Sequence, residues 1–149
     1  MKGKVVLITG GAGGIGKATA LLFLQNGAHV ILVDLKEEAL VVARKDLQQY
    51  ENQLYTISAD VTNEKDVANY VRETVENFGK IDVFFNNAGI SEWHDPLTMP
   101  IETFDRILST NLRSVFQCSR EAAKRMKDGG AIISMASTRA QMSEPFTEA

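Results

Sequence analysis

The residues of this chain with the clearest chemical potential are the glycines between Thr9 and Gly16. They follow an apolar, β-branched run from Lys4 to Thr9 and precede apolar residues at helical spacing that begin at Ile15. Glycines let the main chain turn tightly and approach a ligand closely, and the start of a helix offers unpaired N–H groups. Because a strand, a glycine-rich turn and a helix occur in this order, the segment predicts a diphosphate-binding loop of a dinucleotide-binding fold.

One carboxylate is placed to read the sugar of such a ligand. Asp34 directly follows a second apolar run, His29 to Val33. A carboxylate at this distance from the glycines accepts hydrogen bonds from both ribose hydroxyls of NAD and repels the 2′-phosphate of NADP. The nearby cation is Lys36, with no arginine beside it, so the sequence favours NAD over NADP. The alternative is that Asp34 is a solvated strand end.

Strand-like and helix-like segments alternate along the chain, which predicts the scaffold of this site. Four helical patterns lie between the strands; they end at Asn26-Gly27, near Gln49, at Gly79 and at Gly129-Gly130. Parallel strands joined by right-handed helical crossovers form a doubly wound, Rossmann-like α/β sheet, with expected strand order 3-2-1-4-5. The five predicted strands are Lys4 to Thr9, His29 to Val33, Gln53 to Ser58, Ile81 to Phe85 and Ala131 to Met135.

The helical patterns also carry specific expectations. Thr62 is expected to cap the third helix, and Pro100 to lie in the first turn of a long fourth helix. The single cysteine, Cys118, falls among apolar helix positions and is interpreted as a small core residue. The first helix has an apolar face of Ile15, Ala18, Thr19, Leu22 and Phe23. The fourth has an apolar face of Phe104, Ile107, Leu108, Leu112, Val115, Phe116, Ser119, Ala122, Ala123 and Met126.

Composition limits the function classes. The 149 residues suit one domain, and the formal net charge of −3 without a basic stripe argues against a nucleic-acid partner. No apolar run approaches the roughly 18 residues of a membrane-spanning helix, and the first residues lack the features of a signal peptide. A cytoplasmic location is therefore expected. One cysteine excludes an intrachain disulfide and a multi-cysteine metal site, and no metal is expected.

Five ordered motifs resemble the short-chain dehydrogenase/reductase family over essentially the whole chain. The glycine spacing of the loop is that family's form, and Asp60-Val61, Asn86 to Gly89, Asn111 and Ser137 follow in the family's order. The resemblance implies a cofactor site and two catalytic residues, Asn111 and Ser137. The implied cofactor-binding residues are Thr9, Gly10, Ala12, Gly13, Gly14, Ile15, Gly16, Asp34, Leu35, Asp60, Val61, Asn87, Ala88 and Gly89.

The resemblance also implies a reaction, namely hydride transfer between NAD and a carbonyl or alcohol carbon of a small molecule. Ser137 would orient the substrate oxygen, and Asn111 would support a water-linked proton relay. The residues alone leave alternatives open: Asp60 suits a turn, the Asn86 to Gly89 segment suits a turn, and Asn111 suits a structural role. Ser134 competes with Ser137, but strand alternation and the family pattern favour Ser137, leaving Ser134 to point into the sheet packing.

One part of the family's chemistry has no counterpart in these residues. The family transfers the proton with a tyrosine whose pKa a lysine lowers, whereas Tyr50, Tyr55 and Tyr70 all lie upstream of Ser137. By the family's spacing, the tyrosine is expected immediately after Ala149. The chain alone is therefore expected to be inactive. It is also expected to expose the fifth strand and to self-associate. In the family, the long helix is usually part of a subunit interface. The alternative is a non-catalytic dinucleotide sensor or partner module.

Overall fold

A computed structural model describes residues 1–126 and 129–138, and these residues build a five-stranded parallel sheet flanked by helices. The strand order is 3-2-1-4-5, as expected from the sequence. The strands are β1 (Val5–Thr9), β2 (His29–Asp34), β3 (Leu54–Ser58), β4 (Val83–Asn86) and β5 (Ala131–Ser134). The helices are α1 (Gly14–Gln25), α2 (Glu37–Asp46), α3 (Glu64–Phe78), α4 (Ile101–Leu108) and α5 (Ser114–Ala123), with a 3₁₀ turn at Gln48–Tyr50 and a π-helical turn at Ser109–Arg113.

The strand β1 forms the centre of the sheet because both of its faces are apolar. All five of its residues are buried, and it pairs in parallel with β2 on one side and β4 on the other. Alternate residues enter two separate cores, with Leu7 facing the core under α3 and α5 and Ile8 facing the core under α1 and α2. This arrangement brings the carboxyl ends of all five strands to one edge of the sheet, where ligands bind in such folds.

Helix α1 packs on the sheet through a face that its apolar residues did not predict. The buried residues are Gly16, Ala20 and Leu24, whereas Ile15 and Leu22, which the sequence placed on the apolar face, are exposed. Small residues four apart let the helix backbone approach the strands closely. Phe23, the other large residue of the expected face, is partly buried and packs against the core under α1 and α2.

Helix α3 begins one residue later than its expected cap. Asn63 is the N-cap, because its side-chain oxygen accepts hydrogen bonds from the Lys65 and Asp66 N–H groups at 2.9 and 3.3 Å. The Thr62 side chain instead donates to Asp60 Oδ1 at 2.7 Å. The prediction that Thr62 caps this helix is therefore wrong, and Thr62 supports the preceding turn. The left-handed end at Gly79, with φ of 80°, is as expected.

The long fourth helix consists of α4, the π-helical turn and α5, and it follows Pro100 as N-cap. Its apolar residues divide into two stripes. An inner stripe faces the sheet, and Cys118 belongs to it, as the sequence indicated; its buried members are Ile107, Ser114, Gln117, Cys118 and Ala122. An outer stripe is exposed and consists of Ile101, Phe104, Leu108, Leu112 and Phe116. The single apolar face inferred from the sequence is therefore wrong, because four of its members lie in the outer stripe.

Strand β5 pairs only with β4 and forms an edge of the described sheet. All four of its residues are exposed, including Ile132 and Ile133 at 40% and 46%. The expectation that this strand and its apolar side chains are uncovered is met among the described residues. The other expectations for residues 139–149, and for 127 and 128, lie outside the described part of the chain.

Candidate nucleotide site

The glycine-rich loop between β1 and α1 contains glycines at which a side chain would collide with neighbouring atoms of the protein, Gly10 and Gly16 among them. Gly10 has φ of +61°, and a Cβ there would lie 2.8 Å from the Ala88 Cα. A Cβ on Gly16 would lie 2.4 Å from the Gly10 carbonyl oxygen. Gly14 differs, since a Cβ there meets nothing within 4 Å. Gly10 and Gly16 therefore fix the shape of the loop, whereas the absence of a side chain at Gly14 keeps open the space in front of the helix.

The loop presents main-chain N–H groups to that open space. The first hydrogen bond of α1 runs from the Lys17 N–H to the Gly13 carbonyl at 2.9 Å. The N–H groups of Gly14, Ile15 and Gly16 precede it and have no partner within the helix by geometry. With the positive end of the helix dipole behind them, they form a site for an anionic group such as a diphosphate.

Asp34 is tied to the loop by the main chain. Its Oδ2 accepts from the Ala12 N–H at 3.1 Å, and its Oδ1 accepts from the Lys36 N–H at 3.3 Å. The carboxylate is therefore held at the carboxyl end of β2, at a fixed distance from the loop. Both oxygens retain lone pairs that can accept from further hydroxyl groups.

The segment after β4 is joined to the end of β1. Thr9 Oγ1 accepts from the N–H groups of Asn87 and Ala88 at 3.1 and 3.2 Å. The Asn87 side-chain amide donates to the carbonyls of Thr9 and Gly10 at 3.1 and 3.0 Å. The segment thus satisfies strand-end backbone groups, and it also forms the floor beneath the loop.

These elements enclose a cleft of about 360 Å³ at the carboxyl edge of the sheet. Seven of the predicted cofactor residues line it: Gly10, Asp34, Leu35, Asp60, Val61, Ala88 and Gly89. Of the others, Thr9 and Asn87 support the floor, and Ala12, Gly13, Gly14, Ile15 and Gly16 form the loop and the start of α1. The cleft also contains residues that the sequence did not assign to the cofactor site, namely Ala59, Thr62, Ile90, Arg106, Ser109 and Thr110.

Three of these additional residues come from one helix face. Arg106, Ser109 and Thr110 are three and four positions apart, a spacing that places side chains side by side. The sequence contains this spacing, but the apolar residues of the helix predicted a different face as the one that packs inside. Arg106 is hydrogen-bonded to Glu92 in the loop after β4, and this bond holds the pKa of the Glu92 carboxyl below its usual range.

The turn after β3, residues 60–62, is held by hydrogen bonds within it and to α3. Asp60 Oδ1 accepts from the Thr62 N–H and hydroxyl at 2.8 and 2.7 Å. The Asp60 N–H donates to Asp66 Oδ2 at 3.0 Å. The expectation of a turn at Asp60 is therefore confirmed, and the same turn forms part of the cleft wall.

Asn111 lies in the π-helical turn and contacts the floor of the cleft through its side chain. Its Oδ1 accepts from the Ile90 N–H and its Nδ2 donates to the Ile90 carbonyl, both at 2.8 Å. Both ends of the amide are thus occupied by main-chain groups, so the side chain has a structural role. Isolated π-helical turns occur frequently at functional sites, because they disturb the regular carbonyl pattern of the helix.

Ser137 follows the end of β5 at the carboxyl edge of the sheet and is exposed. Ser134 is also exposed, rather than packed within the sheet as the sequence suggested. Its Oγ accepts from the Asn86 side-chain amide at 3.3 Å, and that amide also donates to Ser119 Oγ at 2.9 Å. Ser134 is therefore part of the junction between β4, β5 and α5.

None of the three tyrosines of the chain lines the cleft. The Tyr70 hydroxyl is buried beside Cys118 Sγ at 3.1 Å, and burial raises the pKa of this tyrosine. Tyr55 donates to Glu73 at 3.0 Å, and that carboxylate raises the pKa of its phenol. Tyr50 lies in the 3₁₀ turn after α2. A phenol with a raised pKa is a poor base at neutral pH, so neither Tyr55 nor Tyr70 replaces the family's tyrosine, and Tyr50 does not line the cleft.

Residues 1–126 and 129–138 contain no group of three or more histidine, cysteine, aspartate or glutamate side chains that could bind a metal ion. None of the helices formed by these residues is both long and apolar enough to cross a bilayer.

Comparison with known proteins supports the same assignment. The sequence model of a family described as short chain dehydrogenase matches residues 4–149. An uncharacterized oxidoreductase of Thermotoga maritima is 41% identical, with 99% of this chain and 59% of the relative covered. Secoisolariciresinol dehydrogenase of Forsythia intermedia is 44% identical, with 95% of this chain and 52% of the relative covered.

Solved structures give the same result. The crystal structure of levodione reductase superposes with a TM-score of 0.93 at 35% identity, covering 99% of this chain and 59% of the reductase. That of NAD⁺-bound xylitol dehydrogenase gives 0.92 at 33% identity, covering 98% and 57%. The chain thus spans between half and three fifths of the length of these relatives.

Proposed function

Because the chain belongs to the short-chain dehydrogenase family, we propose that it forms the NAD-binding part of an oxidoreductase acting on a small carbonyl or alcohol compound. The observation that carries this proposal is the loop geometry. Gly10 and Gly16 are required by close main-chain contacts, while Gly14 faces open space in front of unpaired helix N–H groups. Neither a close contact nor a positive φ accounts for glycine at position 14, so we attribute it to the space that a diphosphate needs in front of the helix.

Asp34 favours NAD over NADP at this site. Its carboxylate is fixed by the Ala12 and Lys36 N–H groups and lines the cleft with Leu35. Ribose hydroxyls can donate to it, whereas a 2′-phosphate is repelled by its charge. Arg106 lines the same cleft, but its side chain is paired with the Glu92 carboxylate. No contact among the described residues holds the Arg106 side chain towards the position of a 2′-phosphate.

The remaining residues have supporting roles in the proposed reaction. NAD supplies the hydride acceptor, and Ser137 would orient the substrate oxygen at the carboxyl edge of β5. Because both ends of the Asn111 amide bind Ile90, Asn111 would support the proton relay through the main chain of its π-helical turn. Because none of the three tyrosines lines the cleft, we propose that the 149 residues by themselves give little or no turnover.

We also propose that the protein is a homo-oligomer that assembles through the outer stripe of α4 and α5. Leu112 and Phe116 are 67% and 68% exposed in the middle of this stripe. An exposed apolar stripe along a helix is typical of a surface that a partner covers.

Calorimetric titration of NAD into the chain tests the cofactor proposal, with Asp34→Ala as the variant. Loss of two charge-assisted hydrogen bonds to the ribose, at about 1.5 kcal/mol or more each, predicts NAD binding at least about 150-fold weaker. NADP binding, weak in the wild type, is expected to improve or stay unchanged in the variant because a repulsive charge is removed. Equal NAD affinity in both proteins would contradict the role of Asp34, and rapid NADH formation from alcohols by the chain alone would contradict the proposed inactivity.

A further inference from the structure

One ion pair joins a cation of the cleft lining to a carboxylate that lies outside the lining. Among the described residues that line the cleft, Arg106 is the only one with a cationic side chain, and Asp34 and Asp60 are its carboxylates. The Arg106 guanidinium donates a hydrogen bond to Glu92 Oε1, and Glu92 Oε2 lies 3.5 Å from His94 Nε2. Because Glu92 neutralises Arg106, the cation does not offset the negative charge of the two cleft carboxylates.

Both partners of this pair are charged at neutral pH. The hydrogen bond from Arg106 holds the pKa of the Glu92 carboxyl below its usual range, and an arginine side chain does not lose its proton in proteins. The side chains of Glu92 and Arg106 are 34% and 53% exposed, so their contact contributes little to the stability of the fold. The main consequence of the pair is therefore the charge that it gives to the cleft.

We infer that Glu92 is a specificity-determining residue that lowers the affinity of the cleft for dinucleotides with a 2′-phosphate. It acts through Arg106, because a neutralised arginine does not offset the repulsion between the Asp34 carboxylate and that phosphate. No contact between Arg106 and the phosphate is needed, since charges interact through the solvent of a shared cleft. This inference rests on the proposed function, because it assigns a preference to the same nucleotide site.

Coulomb's law gives the size of the effect. Two unit charges on the order of 10 Å apart in water change an affinity about twofold, and a phosphate monoester carries roughly 1.5 to 2 negative charges. Removing one protein charge at that distance should therefore change NADP affinity about three- to fourfold relative to NAD. The diphosphate is common to both dinucleotides, so its contribution cancels in the ratio of the two affinities.

The test measures the ratio of NADP affinity to NAD affinity by calorimetry, with NADP titrated in competition with NAD. Glu92→Gln removes the charge but keeps an oxygen that can accept from Arg106, and it should raise the ratio about three- to fourfold at about 0.01 M salt. Arg106→Gln should lower the ratio by a similar factor. At about 1 M salt, where the Debye length is about 3 Å, both changes should largely disappear.

Glu64→Gln is the matched control. Glu64 forms an ion pair with Arg113 of the same long helix, and neither residue lines the cleft. The substitution changes the net charge of the protein by the same amount as Glu92→Gln does. The ratio is therefore expected to keep its wild-type value in this variant.

The direction of the changes separates an effect of charge from an effect of structure. If the pair acted only by holding the loop after β4, Glu92→Gln and Arg106→Gln would shift the ratio in the same direction, and the inference would be wrong. It would also be wrong if Glu92→Gln left the ratio unchanged, if Glu64→Gln raised it equally, or if the increase persisted at high salt. In each of these cases, NAD binding by the wild type leaves the proposed function standing. If the wild type binds neither dinucleotide, the proposed function fails and the inference fails with it.

Discussion

Substituting Gly14 by alanine tests the reasoning about the loop most directly, because the structure predicts opposite effects on stability and binding. A Cβ on Gly14 meets nothing within 4 Å, and Gly14 is the first residue of α1. Alanine reduces the conformational freedom of the unfolded chain and suits a helix, so it should stabilise the fold by about 0.5 to 1 kcal/mol. For a domain of this size, that corresponds to an increase in Tm of about 1 to 4 °C.

The same methyl group should obstruct the ligand. It would stand in front of the unpaired N–H groups of α1, where the diphosphate is proposed to bind. We expect NAD affinity to fall at least tenfold, or about 1.4 kcal/mol, from displacement of the diphosphate by one methyl group. Thermal unfolding and calorimetric titration of the same preparation measure both effects.

Gly16→Ala provides the contrast. Its Cβ would lie 2.4 Å from the Gly10 oxygen and 2.9 Å from the Gly11 Cα, and these main-chain atoms cannot move without remodelling the loop. This variant should lose both stability and NAD binding. If Gly14→Ala binds NAD as tightly as the wild type, the space in front of Gly14 is not the diphosphate site. If it is destabilised like Gly16→Ala, the description of the loop is wrong.

Two further predictions concern acid stability and assembly. Burial opposes ionisation of Asp82, but hydrogen bonds from Lys4, the Val5 N–H and Lys80 lower its pKa to about 2. The ionised Asp82 therefore stabilises the fold fully above its unfolded pKa near 4, and this stabilisation is lost as pH falls towards 2. Asp82→Asn should lower the free energy of unfolding by roughly 1 to 2 kcal/mol at pH 7, measured by urea unfolding. An equal cost at pH 2 would contradict this. Leu112→Asp should shift sedimentation towards the monomer, and an unchanged oligomer would exclude the outer stripe as the interface.

The strands and the loop were predictable because their signals are local. A buried parallel strand is a continuous apolar run, and a diphosphate loop needs glycines at specified positions between a strand and a helix. Asp34 was predictable for the same reason, since it directly follows a strand. The contacts of Asn111 with Ile90 were not, because the two residues are distant in the sequence and the choice of partner depends on the packed loop.

The long helix shows why periodicity alone does not identify the buried face. Ile107 and Leu108 are consecutive, so their side chains point about 100° apart, yet both belong to apolar stripes. The sequence gives no reason to prefer the stripe that contains Ser114 and Gln117 for the interior. In the structure these two polar residues are tolerated inside because Ser114 donates to the Thr110 carbonyl at 2.5 Å and Gln117 donates to Val61.

The more apolar stripe is consequently the one left exposed, and this inversion has a functional explanation. Packing alone would favour Leu112 and Phe116 against the sheet, with Ser114 and Gln117 in solvent. The observed orientation instead directs hydrogen-bonding groups towards the cleft wall and leaves the apolar groups for another surface. Covering the sheet does not by itself require this orientation of the helix. The orientation is accounted for when the inner stripe shapes a nucleotide site and the outer stripe is covered by another subunit.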